Sequence, residues 1–130
     1  MTVFVDTSAL YALLDEDDAN HAAAADRLRG LRSDDLVTHT FVVVETLALL
    51  GRRLPWAATG RFVDVLLPLI DVQPVTAALY EAALAEYVAA SSARVSFVDE
   101  TSFMFMRMWG VRRAFAYDRD FAARGFELVS

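Results

Sequence analysis

The sequence predicts an α/β fold in which helices cover both faces of a parallel sheet, and three observations carry that reading. Short β-branched and aromatic runs alternate with longer stretches of helical periodicity along the chain. The first run, Val3-Phe4-Val5, is apolar without alternation, as a strand buried on both faces is. It then breaks at Asp6 into Thr7 and Ser8, which leaves a carboxylate at the strand's carboxyl end, the edge where open α/β sheets bind ligands. Asp6 also suits a second role, capping the helix that follows.

Each element has a local cause. After Asp6, Ala9, Leu10, Leu13 and Leu14 recur at helical spacing, and the acid run Asp15-Glu16-Asp17-Asp18 ends that helix in a solvated turn. A second helix is expected from Ala19 to Leu31, with Arg27 and Arg29 near the end where cations favour the helix dipole. Ser33-Asp34-Asp35 is a loop signal and Leu36-Val37-Thr38-His39 a second strand. Thr40 is placed to cap a third helix, Phe41 to Leu50, with Gly51 as its stop. Pro55 opens a fourth helix reaching Leu69, and Ile70 to Gln73 is a weak third strand. Thr76 starts a fifth helix to Ala90. A sixth spans Val98 to Trp109 and closes at Gly110. Arg113 to Tyr117 is a fourth strand ending at Asp118, and Phe126 to Val129 an edge strand.

Composition narrows the function. A chain of 130 residues makes one domain, residues 1–130, able to bury a core without a disulfide or structural metal. Its hydrophobic content of 56% exceeds the roughly 45–50% that is usual, yet no apolar stretch is long enough for a membrane helix. The excess fits a surface covered by a partner. The absence of cysteine excludes thiol nucleophiles and thiolate metal sites, and the start carries no signal-peptide pattern, so a cytoplasmic protein is expected. A net charge of −6 argues against gripping nucleic acid by overall field, unless acids are gathered in one pocket and neutralised by cations. All 12 basic residues are arginine, which removes P-loop and Schiff-base chemistry and suits bidentate phosphate contacts.

Four acids stand in apolar surroundings: Asp6, Glu45 within the valine-rich third helix, Asp99 at the start of the sixth, and Asp118 after the fourth strand. An ionised carboxylate withdrawn from water needs a positive partner. For Glu45 that partner can be an arginine, and for Asp99 the segment Ser96-Phe97-Val98-Asp99 also fits a capping box. Asp120 competes with Asp118. If the strands ending at Asp6 and Asp118 are neighbours, both acids face one crevice. An oxygen-only set of this kind is one that hard Mg²⁺ or Mn²⁺ occupies, and phosphodiester hydrolysis is its natural use. His21 and His39 are isolated and read as loop or strand-end residues.

The segments Val5-Asp6-Thr7-Ser8-Ala9-Leu10, Glu45, Ser96-Phe97-Val98-Asp99 with Thr101-Ser102-Phe103, and Ala114-Phe115-Ala116-Tyr117-Asp118-Arg119-Asp120-Phe121 resemble, in order and separation, the PIN-domain family, above all its VapC-like toxin ribonucleases of type II toxin–antitoxin pairs. The resemblance implies a Rossmann-like parallel sheet of about five strands and a Mg²⁺- or Mn²⁺-dependent endoribonuclease. It implies Asp6, Glu45, Asp99 and Asp118 as the acidic quartet that holds metal, with Thr7 or Ser8 orienting water there and Asp120 in support. It implies an RNA substrate, a homodimer and a cognate antitoxin. Ala116 departs from the family, where Thr or Ser is common two residues before the fourth acid. RNA contact then falls to local arginines, with Arg52, Arg53, Arg107, Arg112, Arg113 and Arg119 in view.

Two rival readings remain. A catalytically inactive PIN-like binding module predicts eroded acids, whereas all four positions are filled. An aspartyl phosphotransferase using Asp6 wants a second aspartate where Ser8 stands, or a nearby lysine, and has neither.

Overall fold

Strand β1 (Val3–Val5) lies at the centre of the sheet, every residue buried. In the computed structural model, which describes residues 1–130, it pairs in parallel with β2 (Leu36–His39) on one side and β4 (Arg113–Phe115) on the other. Strands β3 (Asp71–Gln73) and β5 (Glu127–Leu128) complete a five-stranded parallel sheet in the order β3-β2-β1-β4-β5. The chain leaves β1 toward one edge and returns beside it as β4. A switch point therefore opens at the carboxyl ends of β1 and β4.

Alternation along the strands divides the core. Val5, Leu36 and Phe115 pack with Leu10 and Leu13 of α1 (Thr7–Leu14) and Leu28 of α2 (His21–Arg29). On the opposite face the Phe4 ring meets His39, Phe121 and Phe105 of α6 (Phe97–Trp109). Between β2 and β3 run α3 (Thr40–Arg53) and α4 (Trp56–Arg61); α5 (Ala77–Ala89) precedes α6, and α7 (Asp120–Ala123) precedes β5.

The expected caps form at Thr76, whose hydroxyl accepts from the Leu79 N–H, and at Ser96, whose hydroxyl accepts from the Asp99 N–H at 3.1 Å. Gly110 ends α6 in the left-handed conformation at φ +67°.

Several boundaries differ from expectation. Helix α3 does not stop at Gly51 but runs to Arg53, and Leu54 takes extended angles because the residue before Pro55 is pushed out of the α region. Its cap is His39 rather than Thr40, whose hydroxyl instead accepts from the Val75 N–H at 3.1 Å. The single helix expected to Leu69 breaks into α4, a π turn over Phe62–Leu66 and a 3₁₀ turn over Leu67–Leu69. Pro68 has no N–H for the regular ladder, and the widened turn puts Phe62 and Leu66 inward with Val63 and Val65 outward. Strand β4 stops at Phe115 instead of Tyr117, whose N–H donates to Ser8 Oγ at 2.9 Å rather than to a strand.

Candidate active site

Asp6 combines both roles open to it. Its N–H donates to the Phe115 carbonyl at 3.0 Å, which ties β1 to β4 at the switch point. Its Oδ2 caps α1, accepting from the Ser8 N–H at 3.1 Å and the Ser8 hydroxyl at 2.6 Å. Oδ1 is buried and has no hydrogen-bond partner. A buried polar atom without a partner is rare and costly, so this oxygen is free for a ligand. Burial pushes the Asp6 carboxyl up to about 6, against the Ser8 bonds that lower it, and Glu45 adds to the rise.

Asp6 lines an open cleft of about 330 Å³ together with Thr7, Ser8, Glu45, Asp99 and Asp118, and with Tyr11, Asp18, Asn20, Leu49, Arg53, Ser96 and Tyr117. The four acids singled out from the sequence thus share one cleft, although they lie just after β1, on α3, on α6 and in the loop after β4. Burial pushes Asp99 up to about 8, and the negative charges of Asp6, Asp118 and Glu45 push the same way, as does a hydrogen bond with Asp118. Asp99 does not complete a capping box, because its carboxyl turns to Asp118 instead of back to Ser96. Asp118 Oδ1 accepts from the Asp120 N–H at 2.9 Å, and one carboxylate oxygen each of Asp99, Asp118 and Asp120 lie within 4.8 Å of one another. Asp120 is also held by Arg94 at 3.1 Å. No arginine pairs with Asp6, Glu45, Asp99 or Asp118.

An uncompensated group of carboxylates is what a divalent cation stabilises, and donors that are all oxygen, one of them orphaned, fit a hard ion. Ser8 Oγ, bonded both to Asp6 and to the Tyr117 N–H, locks the first acid to the end of β4. Thr7 is buried in the cleft wall, and its hydroxyl has no partner.

The match to the PIN domain runs over residues 3–127. The chain belongs to the PIN-domain family. It is 40% identical over 125 residues, 95% of each chain, to the 23S rRNA-specific endonuclease VapC20 of Mycobacterium tuberculosis. The crystal structure of that VapC20, described as a sarcin–ricin loop cleaving toxin, superposes with a TM-score of 0.85 at 37% identity, covering 96% of both chains. FitAcB from Neisseria gonorrhoeae shares the PIN fold at a TM-score of 0.72 and 15% identity, over 98% of this chain and 96% of that one.

Within this PIN domain the arginines named from the sequence scatter. Arg53 lines the cleft, its guanidinium carbon 5.7 Å from the Tyr11 ring centroid. Arg113 sits at the amino end of β4 and is bonded to Glu127 at 3.2 Å; Arg112 is its neighbour at that same end, away from the carboxyl ends that carry the acids. Arg107 is in the last turn of α6, opposite the end that carries Asp99. Arg52 and Arg119 are exposed and unpaired. The sequence reading passed over Tyr11, Asp18, Asn20 and Tyr117 as cleft residues. Tyr11 had a signal, since it follows Thr7 and Ser8 at i+4 and i+3 on one helix face, whereas Asp18 and Asn20 were hidden in a turn.

His21 and His39 stay outside the cleft. His21 Nδ1 bonds the Ala12 carbonyl at 2.8 Å, and buried His39 bonds Ser102 Oγ at 2.9 Å, with its pKa pushed down to about 4 by burial.

Proposed function

We propose that the protein is a divalent-metal-dependent endoribonuclease of the VapC-like toxin kind, which hydrolyses RNA phosphodiester bonds. The observation that carries this reading is Asp6, one of its oxygens buried and orphaned, lining a cleft with other carboxylates that no arginine neutralises. The likeness to VapC20 over nearly the whole chain supports it. Asp6, Asp99 and Asp118, with Glu45, would hold Mg²⁺ or Mn²⁺. When bound, such an ion lowers the pKa of water and neutralises the phosphate under attack.

The chain's own residues do the positioning. Ser8 fixes Asp6 through Oδ2, so that Oδ1 is presented in one orientation. The Ser96 cap starts α6 so that Asp99 enters the cleft from its first turn. Glu45 reaches the cleft from α3, and Thr7 offers an unpartnered hydroxyl to orient water. Asp120 supports Asp118 through its N–H. No side chain serves as nucleophile: there is no cysteine, and the Ser8 hydroxyl is spent on two hydrogen bonds.

The substrate is RNA, of which the ribosomal RNA named for VapC20 is the first to test. A toxin of this kind needs restraint in its own cell, so a cognate antitoxin is the expected partner. Exposed Val44, Leu47, Val63, Val65 and Val88 leave apolar surface for that partner or for a second copy in a homodimer. No helix is long and apolar enough to cross a membrane, and we place the protein in the cytoplasm. The deciding experiment incubates purified protein with ribosomal RNA and Mg²⁺ or Mn²⁺ and maps the cut ends. Metal-dependent cuts that vanish in folded Asp6→Asn support the proposal; undiminished cleavage by that variant removes it.

A further inference from the structure

We propose that Arg53, steadied over the ring of Tyr11, grips a phosphate of the RNA strand beside the one that is cut; this rests on the nuclease reading above. Five carboxylates line the cleft, those of Asp6, Asp18, Glu45, Asp99 and Asp118, against a single cation, Arg53. A polyanion entering there meets net repulsion, and an ion at Asp6 relieves it only locally, because salt screens exposed charges beyond about 8 Å. The strand needs a second positive group farther along its path.

Arg53 is placed for that task. Glu45, Leu49 and Arg53 follow one another at i, i+4 and i+8 on α3, a single ridge on the cleft wall. At about 1.5 Å per residue, Arg53 stands ~12 Å from Glu45 along the helix axis. That is too far to touch the phosphate held at the acids and suits one of its neighbours. The guanidinium lies 5.7 Å from the Tyr11 ring centroid, within cation–π range. The ring is itself tethered, because the Tyr11 hydroxyl donates to Asp15 Oδ2 at 2.7 Å while the Asp17 N–H holds the other oxygen of Asp15 at 3.0 Å. Arg94, Arg113 and Arg124 spend their donors on carboxylates, whereas Arg53 has no carboxylate partner. A free planar fork on a fixed base is suited to phosphate.

The bland role for Arg53 is a cation that complements the dipole at the carboxyl end of α3, and the test separates the two. In the full-length protein, Arg53→Ala should raise KM for ribosomal RNA about tenfold with kcat nearly unchanged, the loss of one charge-assisted contact. In a non-cutting Asp99→Asn background, binding of fluorescein-labelled oligouridylate should weaken likewise, and its log–log salt slope should become shallower by about 0.7, the share of one single-strand phosphate. Arg53→Lys should restore the slope but only part of the affinity, and Tyr11→Phe, which keeps the ring and drops the tether, should fall between. An unchanged KM and salt slope in Arg53→Ala overturns the proposal, as does the absence of RNA binding with Arg53 in place. If the unaltered protein cuts no RNA, the nuclease reading falls, and the binding series still decides whether Arg53 holds a phosphate backbone.

Discussion

Asp99 and Glu100 are consecutive residues in the first turn of α6, the first half-buried and the second buried, and they meet opposite fates. Glu100 points to the far side of the helix, where it is 3% exposed and receives two bonds from Arg124, at 2.6 and 3.2 Å, whose guanidinium also lies 4.8 Å from the Phe103 ring centroid. Asp99 points into the cleft, where Asp6, Glu45 and Asp118 raise it and no arginine pairs with it. A buried acid alone is therefore no sign of a site; a buried acid whose positive partner is missing is one.

The largest expected effect tests that contrast directly. Asp99→Asn should lower metal-dependent cleavage by at least about 100-fold, since even residues behind the ligands cost 10- to 100-fold, while its thermal midpoint in EDTA stays level or rises. Glu100→Gln should leave cleavage per folded molecule unchanged. Loss of cleavage in folded Glu100→Gln would break the comparison.

Metal stabilisation sharpens it next. Mn²⁺ at about 100 times its Kd should stabilise the protein by about 2.7 kcal/mol in a thermal-shift series. Glu100→Gln should keep the gain and Asp99→Asn should lose it. On the paired side, Arg124→Met should cost about 2 kcal/mol in urea unfolding. That is below the 3–5 kcal/mol typical of a broken buried pair, because Arg124 is 31% exposed and water reaches Glu100 once it is gone. Ser8→Ala, which frees Asp6 Oδ2 from its 2.6 Å bond, should reduce metal affinity about tenfold with little change in unfolding.

The smallest effect is one of pH. Asp99 is raised from 3.8 to about 8, so the folded, metal-free protein holds a proton that the unfolded chain has lost. Its stability therefore falls as pH rises toward about 8. His39, lowered from 6.5 to about 4, acts in the opposite sense, because the unfolded chain takes up a proton there first as pH drops below 6.5. Asp6, raised to about 6, and the unfolded-chain His39 at 6.5 have both largely finished titrating by pH 7, so the window that isolates Asp99 is pH 7 to 8. Urea midpoints in EDTA should decline across it for the unaltered protein and stay flat for Asp99→Asn.

Much of the fold was legible because its causes are local. The unbroken apolar run before Asp6, the Ser96 and Thr76 caps and the Gly110 stop each act over a few residues, and each is formed as expected. Local rules misled where two of them competed. Gly51 signalled a stop that the packed α3 ignored, while Pro55 and Pro68, which remove conformations outright, set the real boundaries. At the site the residue types pointed to carboxylate chemistry, but one reading of Glu45 was an arginine pair, and it is Glu100 that has one.

By itself the sequence determined the alternation of strands and helices and the placing of an acid at the end of the first strand, because periodicity, caps and proline geometry are properties of neighbouring residues. Only the tertiary structure decided which charges meet. Asp6 joins Asp118 because β1 pairs with β4, and Arg124 finds Glu100 because α7 folds back against α6. Charge compensation depends on distances of a few ångströms between residues far apart in the chain, and no local pattern encodes them.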